Sequence, residues 1–251
     1  MNRIQAFLIH LGISLTIFGV LAYAVIAIWY PDFFFYTDGG WQGLRLLLGV
    51  DLVLGPLLTL IVYRAGKPGL RFDLAVIGAI QTACLAVGVW IVHGERPLAI
   101  AYVDGSFYSI TAQSFRELDL PVPDLSRIPG KYPKWVKVAM PDDPEEQSVI
   151  REQMLRGGRM LATLSERYEP FDPSNDLDRT EARPLEEITD RDRDAQALRD
   201  FGDASVSNYE FFLFGARYAY AYLGFDTESN RFAGYLSTPA PGRAELPPRS
   251  R

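Results

Sequence analysis

The sequence predicts an integral membrane protein: three N-terminal transmembrane α-helices (N-in, C-out) followed by an extracytoplasmic α+β domain. Three observations predict it. Ile4–Tyr30, Leu44–Tyr63 and Phe72–Val92 are nearly unbroken apolar runs, each with the ~20 residues a helix needs to cross ~30 Å of hydrocarbon. The two links between these runs differ sharply in charge. From Pro97 onward the chain reads as ordinary soluble sequence, with short alternating segments broken by Gly, Pro and Asp. The expected domains are residues 1–96 in the membrane, 97–238 as the α+β domain, and 239–251 as a Pro- and Arg-rich disordered tail.

Orientation follows from the basic residues of short loops. The first link, Pro31–Gly43, has Asp32 and Asp38 and no Lys or Arg, whereas the second, Arg64–Arg71, holds Arg64, Lys67 and Arg71. That asymmetry predicts a cytoplasmic second link, a cytoplasmic N-terminus and an external domain after His93. Trp29, Tyr30, Trp41 and Trp90 then fall near the outer boundary, where aromatic belts sit. The first apolar run is much longer than the ~7–15 residues of a signal-peptide h-region, so it is expected to remain as a span. So little cytoplasmic chain leaves no room for an enzymatic or DNA-binding output domain.

Within the spans, Asp51 stands out. It is expected about one third of the way into span two, ~10 Å below the outer surface at helical rise. An aspartate there costs a few kcal/mol unless it is protonated or paired. His10 and Ser14 share a face of span one at i, i+4, and Gln81 lies in span three. Antiparallel stacking predicts that Ser14, Asp51 and Gln81 lie at similar depth. Two readings stay open: mutual pairing within the bundle, or contact with a partner or a proton. Ala75, Ala79 and Ala83 form a small row on span three, with Cys84 and Gly88 as a second. Small residues let helices approach closely, within this chain or against another protein's helix. Gly55-Pro56 should kink span two, because Pro56 has no N–H.

The external domain opens on a hairpin: Leu98–Val103, the turn Asp104-Gly105, and Ser106–Ile110, with Asp-Gly as a type I′ signal. A Pro-rich extended passage follows, then a strand over Lys134–Met140. Asp142-Asp143-Pro144-Glu145-Glu146 predicts a helix start running to about Arg156, ended by Gly157-Gly158. A short helix is expected over Arg159–Tyr168, loop over Glu169–Arg183, and another helix over Thr189–Phe201. The last strands, Tyr209–Phe214, Arg217–Gly224 and Arg231–Ser237, read as a meander. In all, about five strands and two or three helices are expected. Tyr218, Tyr220 and Tyr222 alternate along the middle strand, either as an external interface or as packing under a helix.

Charge and composition exclude several functions. Of 25 basic and 31 acidic residues, 6 and 5 precede Pro97, leaving 19 and 26 after it and a net charge of −7. An acidic domain argues against nucleic acid, which demands a basic patch. The lone cysteine is Cys84 and the two histidines are His10 and His93, so the domain after Pro97 lacks thiol and imidazole chemistry. No phosphate loop or nucleophile elbow is visible. No catalytic residues, metal or cofactor are expected; membrane lipid surrounds the spans.

Several blocks carry a family resemblance: Arg3–Leu11 with Ala6-Phe7 and Ile9-His10-Leu11, Trp29-Tyr30-Pro31, Gly39-Gly40-Trp41-Gln42-Gly43, Gly49 through Thr59, and Leu70 through Ala75. Over residues 3–81 the chain resembles type IV pilin accessory proteins of the TfpX/TfpZ kind. That resemblance implies a chaperone-like protein of the bacterial inner membrane that binds a type IV pilin and aids its stability, assembly or display. It assigns no role to Asp51, Pro56, Asp73 or Gln81. The alternatives are a regulator acting on the pilus assembly platform, and an intramembrane enzyme using Asp51 with Asp73.

Overall fold

A computed structural model describes residues 2–183, 188 and 208–237. The chain divides into two compact units, Met1–Arg96 and Pro97–Arg251. The helix expected over Thr189–Phe201 and the tail 239–251 lie outside the described residues.

In the first unit, α1 (Arg3–Tyr23) starts on a capping box. The Asn2 side chain accepts from the Gln5 amide, and the Gln5 side chain accepts from the Asn2 amide, both at 2.8 Å. These satisfy two N–H groups that the helix start would otherwise leave bare. The helix continues in π register over Ala24–Trp29. A short turn of helix, α2 (Phe34–Thr37), leads into α3 (Gly40–Leu47). A π-helical stretch, Leu48–Leu54, joins α3 to α4 (Gly55–Val62), and α5 runs from Leu70 to Gly94. Three continuous helices, Arg3–Trp29, Gly40–Val62 and Leu70–Gly94, are long and apolar enough to cross a membrane.

Span two begins at Gly40, four residues before the expected Leu44. The reason is packing. A Cβ on Gly40 would lie 2.8–2.9 Å from Phe35 and Tyr30, and one on Gly43 would lie 2.9 Å from Val92. Close approach outweighs the poor helix propensity of glycine. Tyr30 is buried and its hydroxyl donates to the Val92 carbonyl at 2.7 Å, tying the end of span one to span three. Just before Gly55-Pro56, where a kink is expected, the helix runs in π register over Leu48–Leu54, a usual accompaniment of a local misfit in a helix.

The second unit is built on a mixed sheet. Its strands are β1 (Pro97–Val103), β2 (Ser106–Thr111), β3 (Lys134–Val138), β4 (Tyr168–Pro170), β5 (Tyr209–Gly215), β6 (Tyr220–Asp226) and β7 (Phe232–Ser237). The order is β4-β3-β1-β2-β5-β6-β7. β1 pairs with β3, and β2 with β5, in parallel; the other neighbours are antiparallel. The hairpin turn has φ of +48° at Asp104 and +70° at Gly105, as a type I′ turn requires. One sheet face carries an aliphatic core of Ala99, Ala101, Val103, Ile110, Val136 and Val138, covered by Met154 and Leu164 among others. The other is aromatic: Phe107 packs against Phe225, Phe171 and Trp135, with ring centroids 5.3–5.7 Å apart.

Two further helices serve that core. α6 (Ala112–Arg116), unforeseen in the sequence, is capped by the Thr111–Ser114 pair and buries Phe115. α7 (Pro144–Arg156) is capped by Asp143, which accepts from the Glu145 amide at 3.0 Å. It ends as expected at the glycines.

Four expectations are corrected. Arg159–Tyr168 forms two 3₁₀ turns, Leu161–Thr163 and Ser165–Arg167, rather than a helix. Leu161, Ala162 and Leu164 all turn toward the core, a demand that one face of an α-helix cannot meet over consecutive positions. The middle strand of the meander starts at Tyr220, not Arg217. Gly215 pairs with Tyr220, so Ala216–Ala219 becomes the hairpin loop. Met140 lies beyond β3, though it still packs on the core. Seven strands are present among the described residues rather than about five, the short β4 falling across the end of the expected helix and the start of the expected loop.

Candidate functional site

The residue that charge patterning singles out, Asp51, lies at the middle of its span, with eleven residues back to Gly40 and eleven on to Val62. The earlier start of span two moves it inward from the expected third. Asp51 is 2% exposed, so the bundle rather than lipid surrounds it.

Three side chains converge here. Ser14 Oγ donates to Asp51 Oδ1 at 3.2 Å. Gln81 Nε2 reaches the same Oδ1 at 2.6 Å, the main-chain oxygen of Asp51 at 3.2 Å, and Ser14 Oγ at 3.4 Å. One polar side chain from each span thus meets at one point, where hydrocarbon offers no other partners. Among the described residues, the side chains that hydrogen-bond the Asp51 carboxyl are a hydroxyl and an amide, with no Lys or Arg. Its Oδ2 and the Oε1 of Gln81 are buried without a hydrogen-bond partner.

The main-chain contact has a local cause. In the five-residue register of the π stretch, the N–H that would serve the Asp51 carbonyl belongs to residue 56, which is proline. Gln81 supplies the missing donor from the neighbouring helix. Gly55 makes room for it: a Cβ there would lie 2.1 Å from Gln81 Oε1.

His10, one turn from Ser14 on α1, pairs with Thr59, Nδ1 to Oγ1 at 2.6 Å. Spans one and two therefore share a polar seam, Ser14–Asp51 and His10–Thr59. Thr59 carries no mark in the sequence beyond a hydroxyl two turns past Asp51, and Gly55 is marked there only as part of the Gly-Pro kink.

The other candidates separate from this cluster. Asp73 pairs with Lys67 at 2.5 Å, so the two span aspartates have different partners and form no acid pair. Ala75, Ala79 and Ala83 are exposed, and Ala83 borders the bundle. Gly88 is buried, with Leu47 3.2 Å from its Cβ position, whereas Cys84 is exposed. An open apolar groove of about 370 Å³ between spans two and three is lined by Leu47, Ala83, Cys84 and Gly88 among others. In the sheet domain, Tyr218 sits in the β5–β6 loop and is exposed. Tyr220 is exposed on β6, while Tyr222 is half-buried against Phe211 and Leu236. Among the described residues no group of three His, Cys, Asp or Glu could hold a metal ion.

Comparison with known proteins adds a family. Residues 1–34 match the model of the fimbrial assembly protein FimB family. The fimbrial assembly protein of serogroups C1 and C2 from Dichelobacter nodosus is 30% identical over 96 residues, which are 38% of this chain and 73% of that relative. The fimbrial assembly protein of serogroup I from the same organism is also 30% identical over 96 residues, 37% of its length. The chain thus spans little more than a third of this second relative. No solved structure matches.

Proposed function

We propose that this chain, which belongs to the fimbrial assembly protein family, is a non-catalytic accessory protein that binds a type IV pilin in the bacterial inner membrane and aids its assembly. In this reading it resembles the pilin accessory proteins of the TfpX/TfpZ kind, and acts as a chaperone does, by sheltering a subunit before use. The basic second link stays in the cytoplasm and the sheet domain lies in the periplasm.

The observation that carries the reading is the division of labour among the span residues. The polar groups Ser14, Asp51 and Gln81 are turned inward and engaged with one another, which makes the bundle a stable scaffold. The small row Ala75, Ala79 and Ala83 is exposed, so that a single apolar helix of a pilin can approach closely. A periplasmic domain on the same chain would contact the pilin head, and linkage of the two contacts would raise the overall affinity.

The test is chemical cross-linking in native membranes, followed by capture of a tagged copy and identification of what comes with it. The major pilin is expected as the dominant partner. Recovery of assembly-platform proteins without pilin would replace this reading with one of a regulator of the machine.

A further inference from the structure

A recess of about 340 Å³ opens on the sheet domain between α7 and the β1–β2 turn. Val103, Tyr108, Met154 and Ala162 line it, and Leu155 and Met160 at its rim are 80% and 52% exposed. Two guanidinium groups enter this apolar setting, those of Arg151 and Arg159. Arg151 Nη2 donates to Asp104 Oδ1 at 2.6 Å, while Arg159 has no ion-pair partner among the described residues. The Nε atoms of both are buried without a hydrogen-bond partner. A buried donor left bare costs roughly 1–3 kcal/mol; the Arg151 side chain is 43% exposed, so an acceptor entering the recess meets the outer guanidinium nitrogens. With one carboxylate against two guanidiniums the recess is locally positive, in a region whose net charge is −7.

Both arginines are held by rigid backbone. α7 ends in a paired motif in which the Gly158 amide donates to the Leu155 carbonyl at 3.2 Å and the Arg159 amide to the Met154 carbonyl at 2.8 Å, with Gly158 at φ +64°. This Schellman arrangement sets the backbone of Arg159. Asp104, in the tight turn, orients Arg151. The wall of the recess continues across the sheet, because Tyr108, Gly215 and Tyr220 stand in register on β2, β5 and β6. A Cβ on Gly215 would lie 3.3 Å from the Tyr108 ring and 3.8 Å from the Tyr220 ring. Arg and Tyr beside exposed apolar side chains are the groups that dominate protein interfaces.

We propose that this recess binds an acidic segment of a partner protein in which carboxylates alternate with apolar side chains. One carboxylate lies against Arg159 and Arg151, the neighbouring apolar side chain rests on Leu155 and Met160, and the segment continues over Tyr220. The charge balance selects the carboxylate, since planar guanidinium groups bind it with paired hydrogen bonds. The apolar rim selects what flanks it.

The test uses the purified full-length chain in detergent micelles and a fluorescein-labelled peptide, Leu-Asp-Leu-Glu-Leu-Asp-Leu, followed by anisotropy. Saturable binding is expected, weakened about tenfold or more when Asn and Gln replace the acids, and likewise by Arg159→Gln. Met160→Asp, on the exposed rim, should weaken binding without disturbing the core. Arg116→Gln, on α6, should leave it unchanged. Absence of saturation, equal affinity for the amide peptide, or full affinity in both recess variants would overturn the proposal. So would an equal loss with Arg116→Gln, or displacement by phosphatidylglycerol vesicles without dependence on the peptide's carboxylates, which would assign the recess to lipid. No pilin enters the experiment, so its failure would leave the pilin reading standing.

Discussion

Gln81 donates its side-chain amide to the main-chain carbonyl of Asp51 at 3.2 Å, the oxygen that Pro56 leaves without a donor in the π register. The same amide holds the Asp51 carboxyl at 2.6 Å. One side chain of span three therefore repairs a break in the span-two ladder and anchors its acidic group. Polar contacts between membrane helices contribute roughly 0.5–2 kcal/mol each, and here two of them share one donor group.

Gln81→Leu is therefore expected to destabilise the membrane unit by about 1–2 kcal/mol. Gly55→Ala should cost at least as much, because its Cβ would displace Gln81 from the position it holds. Thermal unfolding of the purified chain in detergent measures both. The double variant should lose clearly less than the sum of the two, since both changes remove the same contact.

Asp51→Asn keeps an oxygen for Ser14 and Gln81 and is expected to leave stability within about 1 kcal/mol of the parent. Asp51→Leu removes the acceptor from both donors and should cost about 1–3 kcal/mol. Membrane abundance and detergent melting report each change. If Asp51→Asn also keeps full pilin capture, the carboxyl has no part in binding a partner that an amide cannot play.

In the sheet domain, Gly105→Ala meets two obstacles. Its φ is +70°, and its Cβ would fall 2.4 Å from Glu181 Cγ. Gly130→Ala at φ +90° meets only the first, since nothing lies within 4 Å of its Cβ position. Each should lose about 1–2 kcal/mol through backbone strain, with Gly105→Ala the larger loss in chemical denaturation.

Asp226 closes the β6–β7 turn by accepting from the Ser229 amide at 2.7 Å, from the Ser229 hydroxyl at 2.8 Å and from the Glu228 amide at 3.1 Å. The Ser229 bonds foremost hold its carboxyl below the ordinary 3.8. A depressed folded value contributes stability that is present above the unfolded value and lost as pH falls through the folded one. Asp226→Asn should lower stability at neutral pH, and the gap to the parent should narrow below pH ~4. Urea midpoints across an acid series measure this.

Much of this fold was legible because its signals are local. Aspartate, proline and glutamates at 143–146 set the start of α7, two glycines its end, and Asp104-Gly105 the hairpin. The meeting of Ser14, Asp51 and Gln81 was legible too, since three antiparallel spans leave few places for buried polar groups. What stayed hidden depends on contacts distant in sequence. Gly40 and Gly43 look like a loop until Phe35, Tyr30 and Val92 are seen packed on them. The alanine row offered no hint of which way it faces, because apolar residues fill span three on nearly every side and Gln81 alone does not fix its rotation. The recess around Arg151 and Arg159 joins a helix end to a hairpin turn nearly fifty residues earlier, a pairing that no local pattern announces.

The most direct measurement places a photo-cross-linking amino acid at position 79, on the exposed alanine row, with position 13 on the exposed side of α1 as the control, in native membranes. The pilin-binding reading expects a pilin adduct from position 79 and little from position 13. An equal yield at both positions, or no pilin adduct at 79 while the chain remains at full abundance, would contradict it.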